Sequence, residues 1–347
     1  MCGPDRSVHG GISGVVNQYY EAGLDRRVSL TYIGTMKEGS KLRKLFTAAA
    51  SYLRFVRLLD DCDIVHVNMS SDVSYVRKSF FIRAAYKKNK PIVLHQHGGD
   101  FENYYASLGE AGRRRVKEIF DMAKVVLVLA PPWKDFFGQL TDPDKIIVFP
   151  DTVPVPPKVK KDYTSDSILF LGRLCREKGI GELLEAVLSL SGRYPDLKLY
   201  LGGIWEDKDL AAKAAGLKEH CEWIGWVSGE EKQEYLRRAT VFVMPSYFEG
   251  QSLSIMEAMA SSCAVVASDT GGIPMMITNE ETGLLVPVKD EKALEEAIGR
   301  LLADRQLCAA LGEKARERIV RDFSLDNNME QLIKIYEGLM EQTGAEA

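Results

Sequence analysis

The sequence predicts an α/β protein with two doubly wound domains. Short, apolar, β-branched segments alternate with helical patterns along all 347 residues. These segments lack polar alternation, which is typical of parallel strands covered by helices on both faces. The alternation stops in the proline- and lysine-rich residues 150–164 and then restarts. We therefore expect two parallel sheets joined by this linker, with a site where carboxyl strand ends face each other across a cleft.

Five strands are predicted in the first half, separated by helical stretches such as the one that carries Leu42, Leu45, Ala49 and Leu53. The strands are Val28–Ile33, Ile64–Asn68, Ile92–His95, Val125–Leu129 and Ile146–Phe149.

Five more strands are predicted after the linker, with helices that include Ile180–Leu190 and Ser254–Ala260. The strands are Ile168–Leu171, Leu197–Leu201, Val241–Met244, Ala264–Ala267 and Leu284–Val286. A further helix around Asp326–Met340 follows the end of this pattern.

Composition excludes several classes of protein. Six cysteines are scattered singly without a CxxC pair, which argues against a zinc site and a disulfide framework and fits a reducing cytosol. No apolar run reaches the length of a membrane span and no signal peptide opens the chain, so a cytoplasmic protein is expected. Residues 1–160 carry 24 Lys and Arg against 17 Asp and Glu, and the remainder carries 21 against 32. This asymmetry indicates either an anionic partner of the first half or an uneven surface charge.

The most informative segment is Phe248–Ala260, FEGQSLSIMEAMA, which follows a predicted strand. Glu249 lies in the loop, and Glu257 lies in the first turns of the next helix. The backbone N–H groups before and at the helix start form a candidate anion site. Those residues are Gly250, Gln251, Ser252 and Leu253. The alternative for Glu257 is a capping box with Ser254.

A second segment, Phe170–Gly181, ends a strand and then presents Arg173 and Lys178. Two cations at the carboxyl end of a strand suit a diphosphate, although a solvated charged loop would carry the same residues. A third segment, Gly271–Pro274, is followed by TGLLVP, and its glycines indicate turns.

These three segments, in this order, resemble the C-terminal domain of glycosyltransferase family 4, retaining enzymes of the two-domain GT-B fold. The resemblance runs from about Ile168 to the C-terminus. It implies that Arg173 and Lys178 bind the donor diphosphate, that Glu249 contacts the transferred sugar, and that Glu257 holds the ribose hydroxyls. It also implies that the final helix crosses back to the first domain.

The first half resembles the same family more weakly. VHGGISGV is similar to its glycine-rich loop, which assigns Gly10 and Gly11 a backbone role near the donor phosphates. LHQHGGDF is similar to its His-Gly turn, which places His97 beside the sugar, whereas His95 is interpreted as structural.

Three positions depart from the family pattern: Gln251-Ser252 in the glutamate loop, Met275 after GGIP, and Asp151-Thr152 at the end of the first domain. Relatives also place a buried strand before the glycine-rich loop, yet only Met1–Pro4 precede Asp5. We therefore expect either a truncated first strand or a start that lies upstream.

The resemblance implies domains at residues 1–155, with the helix 324–341, and at residues 156–323. It implies retaining transfer of a sugar from a nucleotide-diphosphate sugar to an acceptor hydroxyl, without a metal or another cofactor. A glycan or lipid-linked acceptor of bacterial surface polysaccharide or glycolipid synthesis is expected, and no nucleic acid.

Other functions remain open at this stage. A sugar-nucleotide epimerase of similar fold would bind the same donor, and a non-catalytic sugar-nucleotide-binding protein would carry the same motifs. The Asp61-Cys62-Asp63 sequence is a metal-binding D-x-D pattern, but it precedes a strand and so lies away from the expected site. His9–Gly14 lacks the GxGxxG spacing of a dinucleotide dehydrogenase.

Residues 37–59 combine six basic side chains with several apolar ones and a single acidic residue, Glu38. A basic amphipathic helix of this kind binds anionic lipid surfaces, so we expect peripheral association with the inner membrane face. The alternative is a core helix with a solvated charged face.

Overall fold

The computed structural model describes residues 1–98 and 101–345. Two compact units are formed: Met1–Thr152 together with the helix that starts at Leu325, and Val153–Ser324. Each unit holds one six-stranded sheet in which all hydrogen-bonded neighbours run parallel. This confirms the predicted α/β class with two parallel sheets.

The sheet of the first unit has the strand order β2-β1-β3-β4-β5-β6. Its strands are β1 (Cys2–Gly3), β2 (Ile33–Gly34), β3 (Val65–Met69), β4 (Ile92–Gln96), β5 (Val125–Val128) and β6 (Ile146–Val148). The helices before and between them are α1 (Gly11–Glu21), α2 (Leu24–Arg27), α3 (Lys41–Leu58), α4 (Asp72–Lys87), α5 (Phe101–Ser107), α6 (Glu110–Asp121) and α7 (Pro131–Phe137).

Four of the five strands predicted in the first half are confirmed to within one residue at each end, but Val28–Ile33 is wrong except at its last residue. The reason lies in its neighbour. β1 has two residues, Cys2 and Gly3, which pair with Ile33 and Gly34 on one side, while Cys2 pairs with Val67 of β3 on the other. Residues upstream of Ile33 therefore have no strand to pair with.

The second sheet has the order β12-β11-β10-β7-β8-β9. Its strands are β7 (Ser167–Leu171), β8 (Lys198–Gly202), β9 (Cys221–Gly225), β10 (Val241–Met244), β11 (Ala264–Ser268) and β12 (Leu284–Val286). Its helices are α8 (Ile180–Ser191), α9 (Lys208–Gly216), α10 (Gly229–Arg238), α11 (Leu253–Ala260), α12 (Ile273–Met276), α13 (Glu291–Ala303) and α14 (Arg305–Asp322).

All five strands predicted after the linker are confirmed, and β9 is an addition. Its sequence, CEWIG, was not predicted as a strand because it has no continuous apolar, β-branched run. The structure explains this composition, since β9 lies at the edge of the sheet and Glu222 and Trp223 are exposed.

The C-terminal helix α15 (Leu325–Ala345) packs within the first unit. The Tyr336 hydroxyl lies 2.6 Å from Nδ1 of His66 in β3. Asn328 donates to the Pro150 carbonyl at 2.8 Å, and Arg27 forms a two-pronged ion pair with Glu330. The predicted helix at Asp326–Met340 is confirmed, as is its return to the first unit.

A nearly buried lysine fastens the linker to the second unit. Nζ of Lys161 donates to the carbonyls of Leu236 at 2.6 Å, Ser261 at 3.1 Å and Arg237 at 3.3 Å. These carbonyls lie at the C-terminal ends of α10 and α11, where helix carbonyls lack partners inside the helix and attract cations.

We predict that Lys161→Met lowers the thermal unfolding midpoint because it removes the charged donor that these carbonyls share. A loss of about 3 kcal/mol is expected for contacts with a charged donor, which corresponds to a fall of roughly 6–12 °C in a domain of this size. Calorimetry measures the shift. Lys160→Met is the control, since Lys160 is exposed. A shift no larger than that of the control would contradict the prediction.

Candidate functional site

Two loops of the second unit carry most of the predicted site. One follows β7 and contains Arg173 and Lys178, and the other follows β10 and contains Glu249. β7 and β10 are hydrogen-bonded neighbours that run parallel, with Val241 opposite Ile168. Their carboxyl ends, and hence both loops, therefore lie side by side.

The two loops are joined by a close backbone approach at Gly179. This residue has φ +70°, and a Cβ atom on it would lie 2.1 Å from the Pro245 carbonyl oxygen. The Tyr247 amide also donates to the Glu177 carbonyl at 2.8 Å. Only glycine tolerates both the left-handed backbone and the missing space, so this position fixes how close the loops come.

This approach places Lys178 against Glu249. Nζ of Lys178 forms an ion pair with Oε1 of Glu249, and the Ser246 hydroxyl donates to the same oxygen at 2.8 Å. The side chains of Lys178 and Glu249 are only 18% and 12% exposed. The structure thus brings together two of the predicted site residues from different strands.

The third sequence segment holds the glutamate loop from the other side. Gly271 has φ +56°, and a Cβ atom on it would lie 1.9 Å from the Glu249 carbonyl oxygen. The Gly272 amide donates to that same oxygen at 2.9 Å. The two glycines of GGIP therefore position Glu249 and do more than form a surface turn.

The helix that follows the loop begins at Leu253, with Ser252 as its N-cap and without a side-chain cap. The first N–H groups of a helix have no acceptor within the helix. Gly250, Gln251, Ser252 and Leu253 therefore lie where the sequence predicts an anion-binding turn.

The capping-box interpretation of Glu257 is wrong, because Ser254 lies inside the helix and not at its N-cap. Oε1 of Glu257 instead accepts a hydrogen bond from Nζ of Lys232, in α10, at 2.6 Å. Lys232 was missed in the sequence because nothing in its helix marks it as a partner of this loop.

Arg173 has a different environment from Lys178. Its side chain is 53% exposed and pairs with Glu206 at 2.9 Å. In the same loop Arg176 pairs with Asp207 at 2.8 Å. Arg173 is thus a surface cation that, among the residues the structure describes, is held by a weak, exposed ion pair.

In the first unit, His97 follows β4 and its ring is almost fully buried. Nδ1 lies 3.1 Å from Oδ1 of Asp151, and Nε2 lies 2.9 Å from Oδ1 of Asn68. His95 stacks against His97 with ring centres 3.9 Å apart. Burial holds the pKa of His95 well below the usual range, so this ring is neutral at pH 7.

Asn68 and Asp151 were not predicted as site residues. Asn68 is the penultimate residue of β3 and Asp151 follows β6, so parallel topology brings both to the edge where β4 ends. Asp151 has no role predicted from the sequence because the residue departs from the family pattern.

Three side chains here could hold a metal ion. One donor atom from each of His95, His97 and Asp151 lies within 4.8 Å of the others. A metal ion would have to replace the contact that His97 makes with Asp151. The D-x-D sequence at Asp61–Asp63 lies before β3 and therefore at the opposite edge of the sheet.

Gly10 and Gly11 lie at the N-terminus of α1, and both are exposed. A Cβ atom on either residue would meet no atom within 4 Å. The space beside these two residues at the start of α1 is therefore open, which suits an approaching anion.

Most of the second unit is similar to a known protein family. Residues 155–318 match the family model described as glycosyl transferases group 1. This segment lies within the second unit and contains Arg173, Lys178, Glu249 and Glu257.

Curated relatives match over a similar length. Alpha-maltose-1-phosphate synthase of Mycolicibacterium smegmatis is 34% identical over 190 residues, which are 50% of this chain and 48% of the relative. Phosphatidyl-myo-inositol mannosyltransferase of the same organism is 34% identical over 175 residues, 49% of this chain and 45% of the relative. The chain spans about half the length of the curated relatives it matches.

Solved structures match over nearly the whole chain. Sucrose-phosphate synthase from Thermosynechococcus elongatus superimposes with a TM-score of 0.74 at 22% identity and covers 98% of both chains. The Anabaena protein HepE in complex with UDP and glucose gives a TM-score of 0.76 at 15% identity, covering 97% of this chain and 98% of that one. At such identities the likeness concerns the fold, and it confirms the predicted GT-B class.

Proposed function

We propose that this protein is a retaining glycosyltransferase that uses a nucleotide-diphosphate sugar. The observation that carries the proposal is the Lys178–Glu249 pair beside the start of α11, within the segment that matches the glycosyl transferase model. An anion-binding helix start, a cation and a carboxylate that share one loop cluster suit a diphosphate and the sugar attached to it.

In the proposed reaction the bond between the anomeric carbon and the diphosphate breaks, and the acceptor hydroxyl adds to that carbon on the same face. The acceptor proton passes to the departing diphosphate oxygen. Negative charge grows on the diphosphate, where Lys178, Arg173 and the N–H groups of Gly250–Leu253 stabilise it. These donors supply the positive field without a metal, so we propose metal-independent transfer.

Glu249 is proposed to act on the transferred sugar. One of its oxygens is held by Lys178 and Ser246, so the carboxylate is fixed in orientation before the donor binds. A group fixed beforehand pays little reorganisation cost during the reaction.

The first unit is proposed to supply His97 and the N-terminus of α1 at Gly10 and Gly11. Both ring nitrogens of His97 already face protein oxygens. For His97 to contact the sugar, one of these two contacts must open. We propose that it is the contact with Asn68, because the amide oxygen of Asn68 carries no charge, whereas Asp151 offers a carboxylate.

We propose an acceptor class from the names of the curated relatives. The curated relatives described above are named for a sugar phosphate and for a phosphatidyl inositol. We propose a glycan or lipid-linked acceptor, and their names as synthase and transferase favour transfer over epimerisation.

We predict that one of UDP, GDP or ADP stabilises the protein and that its sugar conjugate is consumed without added metal. A nucleotide at 100 times its dissociation constant adds about 2.7 kcal/mol, which differential scanning fluorimetry detects. Transfer to a panel of alkyl glycosides should persist in EDTA and keep the anomeric configuration by NMR. An altered free sugar nucleotide would indicate an epimerase, and binding without turnover would indicate a binding protein.

We predict that Arg173→Ala and Lys178→Ala each lower kcat/KM about tenfold to a hundredfold. Each change removes a charge-assisted contact worth roughly 1.5–3 kcal/mol, at about 1.36 kcal/mol per tenfold. Arg176→Ala is the matched control, since Arg176 lies in the same loop and pairs with Asp207. Steady-state kinetics decide: wild-type values in both variants would remove the donor-site assignment.

A second proposal concerns the anionic surface expected to bind residues 37–59. In α3 the side chains of Leu42, Leu45, Phe46 and Leu53 are all more than half exposed. This exposure supports the proposal over a core helix, because the buried residues of α3, Ser51 and Phe55, lie in its C-terminal half. Among the described helices, none has the length and apolar character needed to cross a membrane.

We predict salt-sensitive binding of the protein to vesicles that contain anionic lipid. Replacing Arg43 and Lys44 together with Gln should weaken binding about thirtyfold, because each basic residue adds roughly 1 kcal/mol and 1.4 kcal/mol is tenfold. Arg114→Gln with Lys117→Gln is the control: it changes the same charge on α6, whose exposed residues include no large apolar side chain. Equal binding of the two double variants in vesicle sedimentation would contradict the prediction.

A further inference from the structure

The Lys232–Glu257 pair lies at the carboxyl edge of the second sheet. Lys232 is the fourth residue of α10, which follows β9, and Glu257 is the fifth residue of α11, which follows β10. Nζ of Lys232 donates to Oε1 of Glu257 at 2.6 Å. Their side chains are 26% and 10% exposed, so Glu257 is largely enclosed while Lys232 reaches it from the more open side.

The pair is unlike the other cation pairs of α10. Arg237 binds Glu230 and Glu234, which belong to its own helix, and such pairs stabilise helices only weakly. Lys232 instead reaches a carboxylate 25 residues away on another helix.

We propose that Lys232 is a positioning residue for Glu257 and, through it, for the ribose of the donor. This rests on the proposed function and on the role that the family resemblance implies for Glu257, which is to accept hydrogen bonds from the ribose hydroxyls. An ammonium group donates only, so it fixes Oε1 and leaves Oε2 as the acceptor for a vicinal diol. Among the described residues Oε2 has no hydrogen-bond donor.

The physical reason is preorganisation. A glutamate side chain has three rotatable bonds, and ordering it on binding reduces affinity. Held by Lys232, Glu257 is ordered before the donor arrives. Without Lys232 the ligand must order the carboxylate itself, so the site loses its preference for a ribose with both hydroxyls.

The ribose is remote from the reacting bond and is bound alike before and during transfer. Loss of Lys232 should therefore raise the donor KM and leave kcat unchanged. A role confined to stabilising the fold would change the melting temperature and leave the choice between ribose and deoxyribose intact.

The experiment measures binding of UDP, 2′-deoxy-UDP and 3′-deoxy-UDP by calorimetry to the full-length protein. If GDP or ADP stabilises the wild type more, its deoxy analogues are used. The proteins are wild type, Lys232→Met, Lys232→Arg, Glu257→Gln and the Met/Gln double variant, with Arg237→Met as control. Melting temperatures establish that each variant is folded.

We expect the wild type and Arg237→Met to prefer the ribonucleotide by about tenfold. Lys232→Met and Glu257→Gln should both lose that preference, the double variant should lose no more than either, and Lys232→Arg should recover part of it. Non-additivity of this kind marks two residues that act as one unit.

Unchanged discrimination in a folded Lys232→Met protein would overturn the proposal, as would additive losses in the double variant. In either case UDP would still bind, and the proposed function would stand. If the wild type binds no nucleoside diphosphate, the proposed function itself fails, which is a distinguishable result.

Discussion

The candidate site of the second unit depends on a backbone contact that leaves no room for a side chain. The contact joins Gly179 to the Pro245 carbonyl, and a similar one joins Gly271 to the Glu249 carbonyl. Both glycines have the left-handed φ that other residues rarely adopt. Because of these two contacts, three loops from β7, β10 and β11 converge, and Lys178 reaches Glu249. The position of the carboxylate thus depends on two residues that take no part in chemistry.

Charge balance governs what this cluster can bind. A partly buried carboxylate without a partner is costly, and so is a partly buried ammonium group. Lys178 with Glu249 and Lys232 with Glu257 satisfy each other before any ligand is present. In the proposed function, an arriving diphosphate would bring added negative charge, which the first N–H groups of α11 and the exposed Arg173 would meet. The weak pairing of Arg173 with Glu206 is what leaves it available.

Sequence reasoning succeeded where a local pattern decides the structure. Val241–Met244 is an apolar run buried in mid-sheet, and it was predicted as a strand to the residue. The Lys178 and Glu249 loops were predicted together because each follows such a strand. The strand predicted at Val28–Ile33 was wrong because the length of that strand is limited by its partner, β1. The contact of Lys232 was not predicted for a related reason. Its partner, Glu257, lies in another helix, and no local pattern in the sequence indicates that the two are close.

The first unit shows how a very short strand can still affect the candidate site. β1 has two residues, yet its Cys2 carbonyl accepts from the Asn68 amide nitrogen at 3.4 Å. That contact turns Oδ1 of Asn68 toward Nε2 of His97, 2.9 Å away. Asp151 faces the other ring nitrogen from the end of β6. The ring of His97 is therefore oriented directly by Asn68 and Asp151 and indirectly by β1, and a change at Cys2 that shifts its carbonyl would affect a histidine 95 residues away.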